Sequence, residues 1–378
     1  MQKKRILIIC SASYSLTNFR GDLIKSLIDN DYEVYAAAPN FRKDVAEILK
    51  KVGAIPIEFE LQRTGLNPFK DVRTIFQLKK IIKENQIDLI FPYTIKPVIY
   101  GSMAANSVKV PVISLITGLG FTFSAASQKA RMLQKVTEFL YRISIRKNKV
   151  IIFQNSDDHQ LFLDNGIISK DNKIDIVGGS GVNLNQFAFR VNENLSDKIR
   201  FLLIARLIEE KGVQLYLDAA LYLKAKYPLA EFHVIGAPDN SPSAVKQESL
   251  DKLHKDGIIV CHGEQENIAE HLTKGDVFVL PTYYREGVPR SILEALSVGL
   301  PIITTDSPGC KETVISQVNG ILIKPKNLEE LVSAMGYFLT HKKEIKRMGI
   351  ESRKYAEEKF DVNLINRNII KSFKSVLN

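Results

Sequence analysis

The chain has 378 residues, a length that suits two domains better than one. Its hydrophobic share of 45% and charged share of 25% are those of a globular protein, and no apolar run approaches the ~20 residues of a membrane-spanning helix. The net charge of +10 lies in the first half, where residues 1–190 carry 27 Lys and Arg against 17 Asp and Glu while residues 191–378 carry 25 of each, so the N-terminal half is expected to face an anionic partner.

The chain opens on Lys3-Lys4-Arg5 and the apolar run Ile6–Ile9. That run is too short for a signal peptide and is expected to be a first, buried parallel strand in a cytoplasmic protein. A polar loop follows at Ser11–Asn18, then a helix from Arg20 to Leu27 and a strand at Glu33–Ala38, a βαβ unit without GxGxxG. Asp29-Asn30-Asp31 has the form of a metal-holding DxD, but it sits in the helix-to-strand turn and is read as turn chemistry.

The alternation continues through a helix at Val45–Val52, a strand at Ile55–Phe59, an amphipathic helix at Asp71–Asn85 and a strand at Leu89–Phe91. Tyr93–Gly101 is a polar strand-end loop running into a helix, Ile99–Asn106. After the strand Val112–Leu115 come Gly118 and Gly120 in Thr117–Phe121, which allow close backbone approach to a ligand.

Ser127–Lys149 is expected as a helix with an apolar stripe (Met132, Leu133, Val136, Phe139, Leu140, Ile143) and a basic stripe (Arg131, Lys135, Arg142, Arg146, Lys149). Two readings stay open: a core-facing helix with a solvated basic face, or a basic face drawn to anionic lipid headgroups. Nucleic acid is not expected, because no nucleic-acid motif accompanies the charge.

A strand at Val150–Gln154, a helix at Ser156–Asn165 and Ile174–Val177 lead into the glycine-dense Gly178–Asn183, taken as the hinge. A second α/β series has strands at Arg200–Ala205, Glu231–Ile235, Ile258–Cys261, Val277–Pro281, Ile302–Thr305 and Gly320–Ile323. Helices at 328–339, 343–360 and 362–377 close the chain. Cys10, Cys261 and Cys310 are scattered and expected as reduced, buried thiols. The six histidines form no HxH or HExxH pattern, so no protein-built metal site and no metal cofactor are expected.

Two polar constellations sit at strand-to-helix junctions of the second series. Arg206 and Lys211 follow the strand ending at Ala205, before a helix from Val213, where two cations and a helix N-terminus suit a diphosphate. Glu286 lies on the loop after Val277–Pro281. Glu294 lies more than a turn into the helix that Pro289 opens, so the pair suits sugar hydroxyls while the amides of that helix start face phosphate. Both sets lie at one end of one sheet, as a nucleotide-diphosphate sugar requires.

On these residues the sequence resembles the retaining glycosyltransferases of family 4. Arg206–Gly212 is similar to their R-x-x-x-x-K-G loop, Glu286–Glu294 to their E-x7-E motif, Gly178–Asn183 to their hinge and Lys324–Leu328 to the segment after their last strand. Asn183 stands where the hinge motif has Asp, and Tyr93-Thr94-Ile95-Lys96 replaces a His-rich loop, so no catalytic His is carried over. In the first half Leu66-Asn67-Pro68, Thr94–Gly101 and Gly118-Leu119-Gly120 resemble bacterial enzymes that add N-acetylhexosamines (GalNAc or GlcNAc) to polyprenyl-diphosphate-linked sugars, the α-1,3-N-acetylgalactosaminyltransferases among them.

The resemblance implies an α/β GT-B fold, two Rossmann-like parallel-sheet domains facing a cleft. Residues 1–178 would bind acceptor, 179–361 the UDP-sugar, and a helix at 362–378 would cross back. It implies that Arg206 and Lys211 neutralise the leaving diphosphate. Glu286 would meet the donor sugar with Gly287, Val288 and Pro289 beside it, and Glu294 the ribose. Thr94, Lys96, Gly118 and Gly120 would belong to the acceptor or phosphate loops. The acceptor would be a polyprenyl-diphosphate sugar of surface-glycan assembly, placing the protein peripherally on the inner face of the cell membrane. Rival readings are a sugar-nucleotide 2-epimerase and a non-catalytic nucleotide-binding partner of a glycan-assembly complex.

Overall fold

The computed structural model describes residues 3–62, 65, 67–120, 123, 128–190, 197–238 and 243–377. The chain forms two compact units, Met1–Ser180 with Asn363–Asn378, and Gly181–Val362. In unit 1 the strands are β1 (Arg5–Ile9), β2 (Glu33–Ala38), β3 (Ile55–Glu58), β4 (Leu89–Pro92), β5 (Ile113–Ile116), β6 (Val150–Phe153) and β7 (Ile174–Ile176). Its helices are α1 (Tyr14–Asn18), α2 (Gly21–Asp29), α3 (Lys43–Lys51), α4 (Pro68–Glu84), α5 (Ile95–Ser107), α6 (Gln128–Ile145) and α7 (Ser156–Asp164). One sheet runs β3-β2-β1-β4 and another β5-β6-β7, and parallel bridges Ile90↔Val112 and Tyr93↔Leu115 join them.

Unit 2 has β8 (Arg200–Ile204), β9 (Glu231–Ile235), β10 (Val260–Cys261), β11 (Val277–Leu280), β12 (Ile302–Thr305) and β13 (Gly320–Ile323). They form one parallel sheet in the order β10-β9-β8-β11-β12-β13. Its helices are α8 (Val213–Lys226), α9 (Gln247–Lys255), α10 (Ile268–Lys274), α11 (Arg290–Val298), α12 (Leu328–Thr340) and α13 (Lys342–Tyr355). A π-helical turn, Ala356–Phe360, leads from α13 to the last helix, α14 (Val362–Leu377).

The strands read as unbroken apolar runs because both of their faces are covered. In β1, Ile6 and Ile8 enter one core and Leu7 and Ile9 the other, the alternation a pleated strand imposes. In unit 2, Phe201 and Leu203 take one side and Leu202 and Ile204 the other. The first core is completed by Ile365, Ile369, Ile370 and Phe373 of α14, with Phe373 set edge-on to Phe91 at 5.1 Å.

The chain leaves β8 outward to β9 and β10, then returns to lay β11 against the other side of β8, with Val277 beside Phe201 and Phe278 beside Leu202. The crevice between β8 and β11 is therefore a topological switch point, where open α/β sheets bind ligands at the strand carboxyl ends. Unit 1 has its own switch point between β1 and β4.

Helix α6 corrects one expectation. Its core-facing side is Thr137, Tyr141, Ser144 and Ile145, whereas Met132, Val136, Phe139 and Ile143 of the apolar stripe are exposed. Periodicity marks a stripe but not the side on which the core lies. Ser127, the expected first residue, Leu66 and Phe121 lie outside the described residues. Cys10 and Cys310 are buried thiols as expected, and Cys261 is half-buried. Ser11–Asn18, expected as loop, contains the short α1.

Candidate active site

The site at the unit 2 switch point is built from two loops. After β8 the chain passes Arg206, which is exposed, and a single 3-10 turn, Glu209–Lys211, before α8 starts. Gly212 caps α8 at φ +73, and a Cβ there would lie 2.1 Å from the Pro281 carbonyl oxygen. Only glycine lets the first loop come this close to the second.

The second loop is tied down by one acceptor. The Glu210 carbonyl receives the N–H of Tyr283 at 2.9 Å, the N–H of Tyr284 at 3.0 Å and the Thr282 hydroxyl at 2.9 Å. The Glu210 carboxylate in turn accepts from Ser243 Oγ at 2.7 Å. The two loops are thereby held as one piece, and Lys211 Nζ meets the Glu286 carboxylate as a salt bridge. Those side chains are 14% and 12% exposed. The ammonium also lies 5.5 Å from the centre of the Tyr284 ring, and Lys326 Nζ lies 4.2 Å over Tyr283. Tyr283 is pushed up to about 12 by burial, then by the charges of Glu209 and Glu210.

Behind Glu286 the loop of Ser307–Cys310 presses on the motif. Gly309 has φ +82, and its missing Cβ would fall 1.8 Å from Gly287 O and 2.9 Å from Glu286 O. Cys310 is fully buried, and burial first, then the Glu286 charge, push its thiol up. Gly287, Val288 and Pro289 are buried; Pro289 is the N-cap, one residue before the helix it was expected to open.

Glu294 lies in the second turn of α11, buried at 9% exposure. Arg290, one turn before it, donates Nε to Glu294 Oε1 at 2.7 Å. Burial raises the Glu294 carboxyl above its ordinary range while Arg290 pulls it down. Arg290 is a residue that motif matching passed over, although an Arg four positions before a Glu on a helix is a legible pair.

Of the unit 1 candidates, Thr94 and Lys96 follow β4 at the other switch point, whereas Gly118 and Gly120 follow β5. Thr94 follows β4 with φ +68, rare for a non-glycine residue, and donates Oγ1 to Ser11 Oγ at 3.0 Å. Lys96, expected in an acceptor or phosphate loop, lies in the first turn of α5 and is held by Asp71 at 3.1 Å with both side chains largely buried. Gly118 and Gly120 have φ +99 and +58. Arg131 and Lys135 are exposed along α6, and Arg146 is exposed in the turn just past its end. Arg142, expected to face a membrane, is instead spent on the end of α7, donating to the carbonyls of Gly166 at 2.9 Å and Asn165 at 2.7 Å. No local pattern marks the convergence of His233, His262 and His271: His233 Nδ1 and His262 Nε2 are 2.9 Å apart, and His262 packs against His271. Among the described residues, no group of three His, Cys, Asp or Glu side chains has metal-holding geometry.

Residues 185–355 match the model of the glycosyl transferases group 1, and residues 5–155 that of the glycosyl transferase 4-like proteins. The chain is 30% identical over 388 aligned positions to the N,N'-diacetylbacillosaminyl-diphospho-undecaprenol alpha-1,3-N-acetylgalactosaminyltransferase of Campylobacter jejuni, covering 99% of each chain. It is 26% identical over 282 positions to the UDP-Gal:alpha-D-GlcNAc-diphosphoundecaprenol alpha-1,3-galactosyltransferase of Escherichia coli, covering 72% of this chain and 71% of that one. Among solved structures, a glycosyltransferase of Rickettsia africae superimposes with a TM-score of 0.80 at 20% identity over both whole chains. Anabaena HepE in complex with UDP gives 0.76 at 17% identity, over 98% of this chain and all of that one.

Proposed function

Because the chain belongs to the group 1, family 4 glycosyltransferases of GT-B fold, we propose that it transfers an N-acetylhexosamine or hexose from a UDP-sugar to a polyprenyl-diphosphate-linked saccharide, with retention at the anomeric carbon. The relatives from Campylobacter and Escherichia are named for transfer to diphospho-undecaprenol-linked sugars. The observation that carries the reading is the meeting of Lys211 and Glu286 at the switch point, which sets a phosphate-binding cation beside a carboxylate suited to hydroxyls.

In this reading Arg206 and Lys211 take the diphosphate and stabilise the charge that grows on it as the glycosidic bond breaks. Glu286 accepts hydrogen bonds from the donor sugar's hydroxyls, with the backbone of Gly287 and Val288 alongside. Glu294, fixed by Arg290, accepts from the ribose. The acceptor hydroxyl attacks on the face the diphosphate leaves, and the leaving phosphate takes its proton, so Glu286 is not assigned as a nucleophile. Thr94, Lys96, Gly118 and Gly120 line the acceptor side.

We also propose that the enzyme works at the anionic inner face of the membrane that holds this acceptor. Support comes from unit 1: Met132 (70% exposed), Phe139 and Ile143 on α6 and Phe69 (89%), Val72 and Phe76 on α4 stand exposed beside Arg131, Lys135, Arg73 and Lys80. Among the described residues no helix is long and apolar enough to cross a membrane.

The test is transfer from UDP-GalNAc and UDP-GlcNAc to an undecaprenyl-diphosphate-linked sugar. Glu286→Ala is expected to abolish product while leaving the far-ultraviolet circular dichroism unchanged. A fully active variant would sink the assignment.

A further inference from the structure

Glu286 and Lys211 lie in the two motifs read as the donor site, and each answers the other's charge. Little water reaches the pair, for both side chains are less than one-sixth exposed. Cys310 beside them is fully buried, and Tyr284 covers the ammonium with its ring. In such surroundings taking an opposite charge away from a neighbouring one is costly. The loops cannot easily spread to relieve it, because the Glu210 carbonyl ties Thr282, Tyr283 and Tyr284 to the Lys211 loop and Gly309 backs Glu286.

We infer that the Lys211–Glu286 salt bridge discriminates intact UDP-sugar from spent UDP. The inference rests on the reading that Lys211 meets the diphosphate and Glu286 the sugar. Free UDP draws on Lys211 for its phosphate charge but brings nothing for Glu286, so it meets an ammonium already half neutralised and a carboxylate that repels it. Intact donor brings both halves: the diphosphate answers Lys211, and the sugar's hydroxyls donate to Glu286. Once the sugar has moved to the acceptor, Glu286 loses its donors and reclaims Lys211, which loosens the UDP that remains. The same contact that joins the two motifs thus expels product.

The experiment is calorimetric titration of UDP into the parent enzyme, Glu286→Gln, Glu286→Asp and Lys211→Ala, each checked for native circular dichroism. Glu286→Gln is expected to bind UDP about tenfold more tightly than the parent, at the low end of couplings between close charge pairs. Glu286→Asp keeps the charge and is expected to bind like the parent, and Lys211→Ala is expected to bind more weakly. If Lys211→Ala weakens UDP but Glu286→Gln leaves it unchanged or weaker, the inference is overturned while the phosphate site stands. Equal tightening by Glu286→Asp and Glu286→Gln also overturns it, since charge is then not the cause. UDP affinity indifferent to Lys211→Ala overturns the phosphate reading itself, and the inference with it.

Discussion

Replacing Arg290 with glutamine removes a charged partner from a buried acid. Arg290 Nε lies 2.7 Å from Glu294 Oε1, and the two side chains are 19% and 12% exposed. Unit charges about 4 Å apart attract by about 4 kcal/mol at an effective dielectric near 20. With some solvent reaching both groups, about 3 kcal/mol is a fair ceiling for what the change removes. The sign follows from proton linkage. Burial holds the Glu294 carboxyl above its ordinary range even with Arg290 beside it. The native state therefore binds this proton more tightly than the unfolded chain does. Stability is fully present below the unfolded value and falls as pH rises through the folded one. Without the guanidinium the folded value climbs further. Arg290→Gln is expected to lose about 2–3 kcal/mol against the parent at pH 8, and the loss should shrink as the pH is lowered towards 5. Urea unfolding followed by far-ultraviolet circular dichroism suits a chain without tryptophan. The double variant Arg290→Gln/Glu294→Gln should show no such pH dependence. A loss of equal size at pH 5 and pH 8, or one whose pH dependence survives in the double variant, would refute the reasoning.

Two further outcomes test the backbone of the site and the face of unit 1. Gly309→Ala puts a Cβ 1.8 Å from Gly287 O at a left-handed φ; it should cost about 1–2 kcal/mol in conformation alone, shift the Glu286 loop, and lower transfer together with the melting temperature. Phe69→Ser with Phe139→Ser should reduce flotation with liposomes containing anionic lipid while leaving the melting temperature within about 1 °C, since exposed side chains contribute little to stability. Flotation unchanged by these substitutions and by removal of the anionic lipid would leave α4 and α6 as ordinary solvated helices.

The strands of both units were legible because parallel strands buried on two faces leave runs such as Ile6–Ile9 and Val277–Leu280. The strand-to-helix junctions that hold the two candidate motifs were legible too, since each falls where an apolar strand ends and a helix begins. What escaped reading is how partners are paid across distance. Lys211 and Glu286 are 75 residues apart, Lys96 and Asp71 are 25 apart, and Arg142 caps carbonyls 23 and 24 residues on. Nothing local marks a cation as already engaged. The sequence pattern gave α6 two stripes, but orientation depends on which side of the helix the sheet and α5 occupy.

Unit 2 is one continuous stretch, whereas unit 1 is closed by α14, which from Asn363 onward follows the whole of unit 2 in the chain. During synthesis the ribosome therefore delivers every residue of Gly181–Val362 before Phe373 can dock on Phe91. At about 5–20 residues per second that interval is on the order of ten seconds or more. Over that time the nascent N-terminal half carries an apolar trough where Ile365, Ile369, Ile370 and Phe373 will lie. The half made first is finished last. A chaperone that shields this trough would act on a nascent chain whose second half is already able to fold.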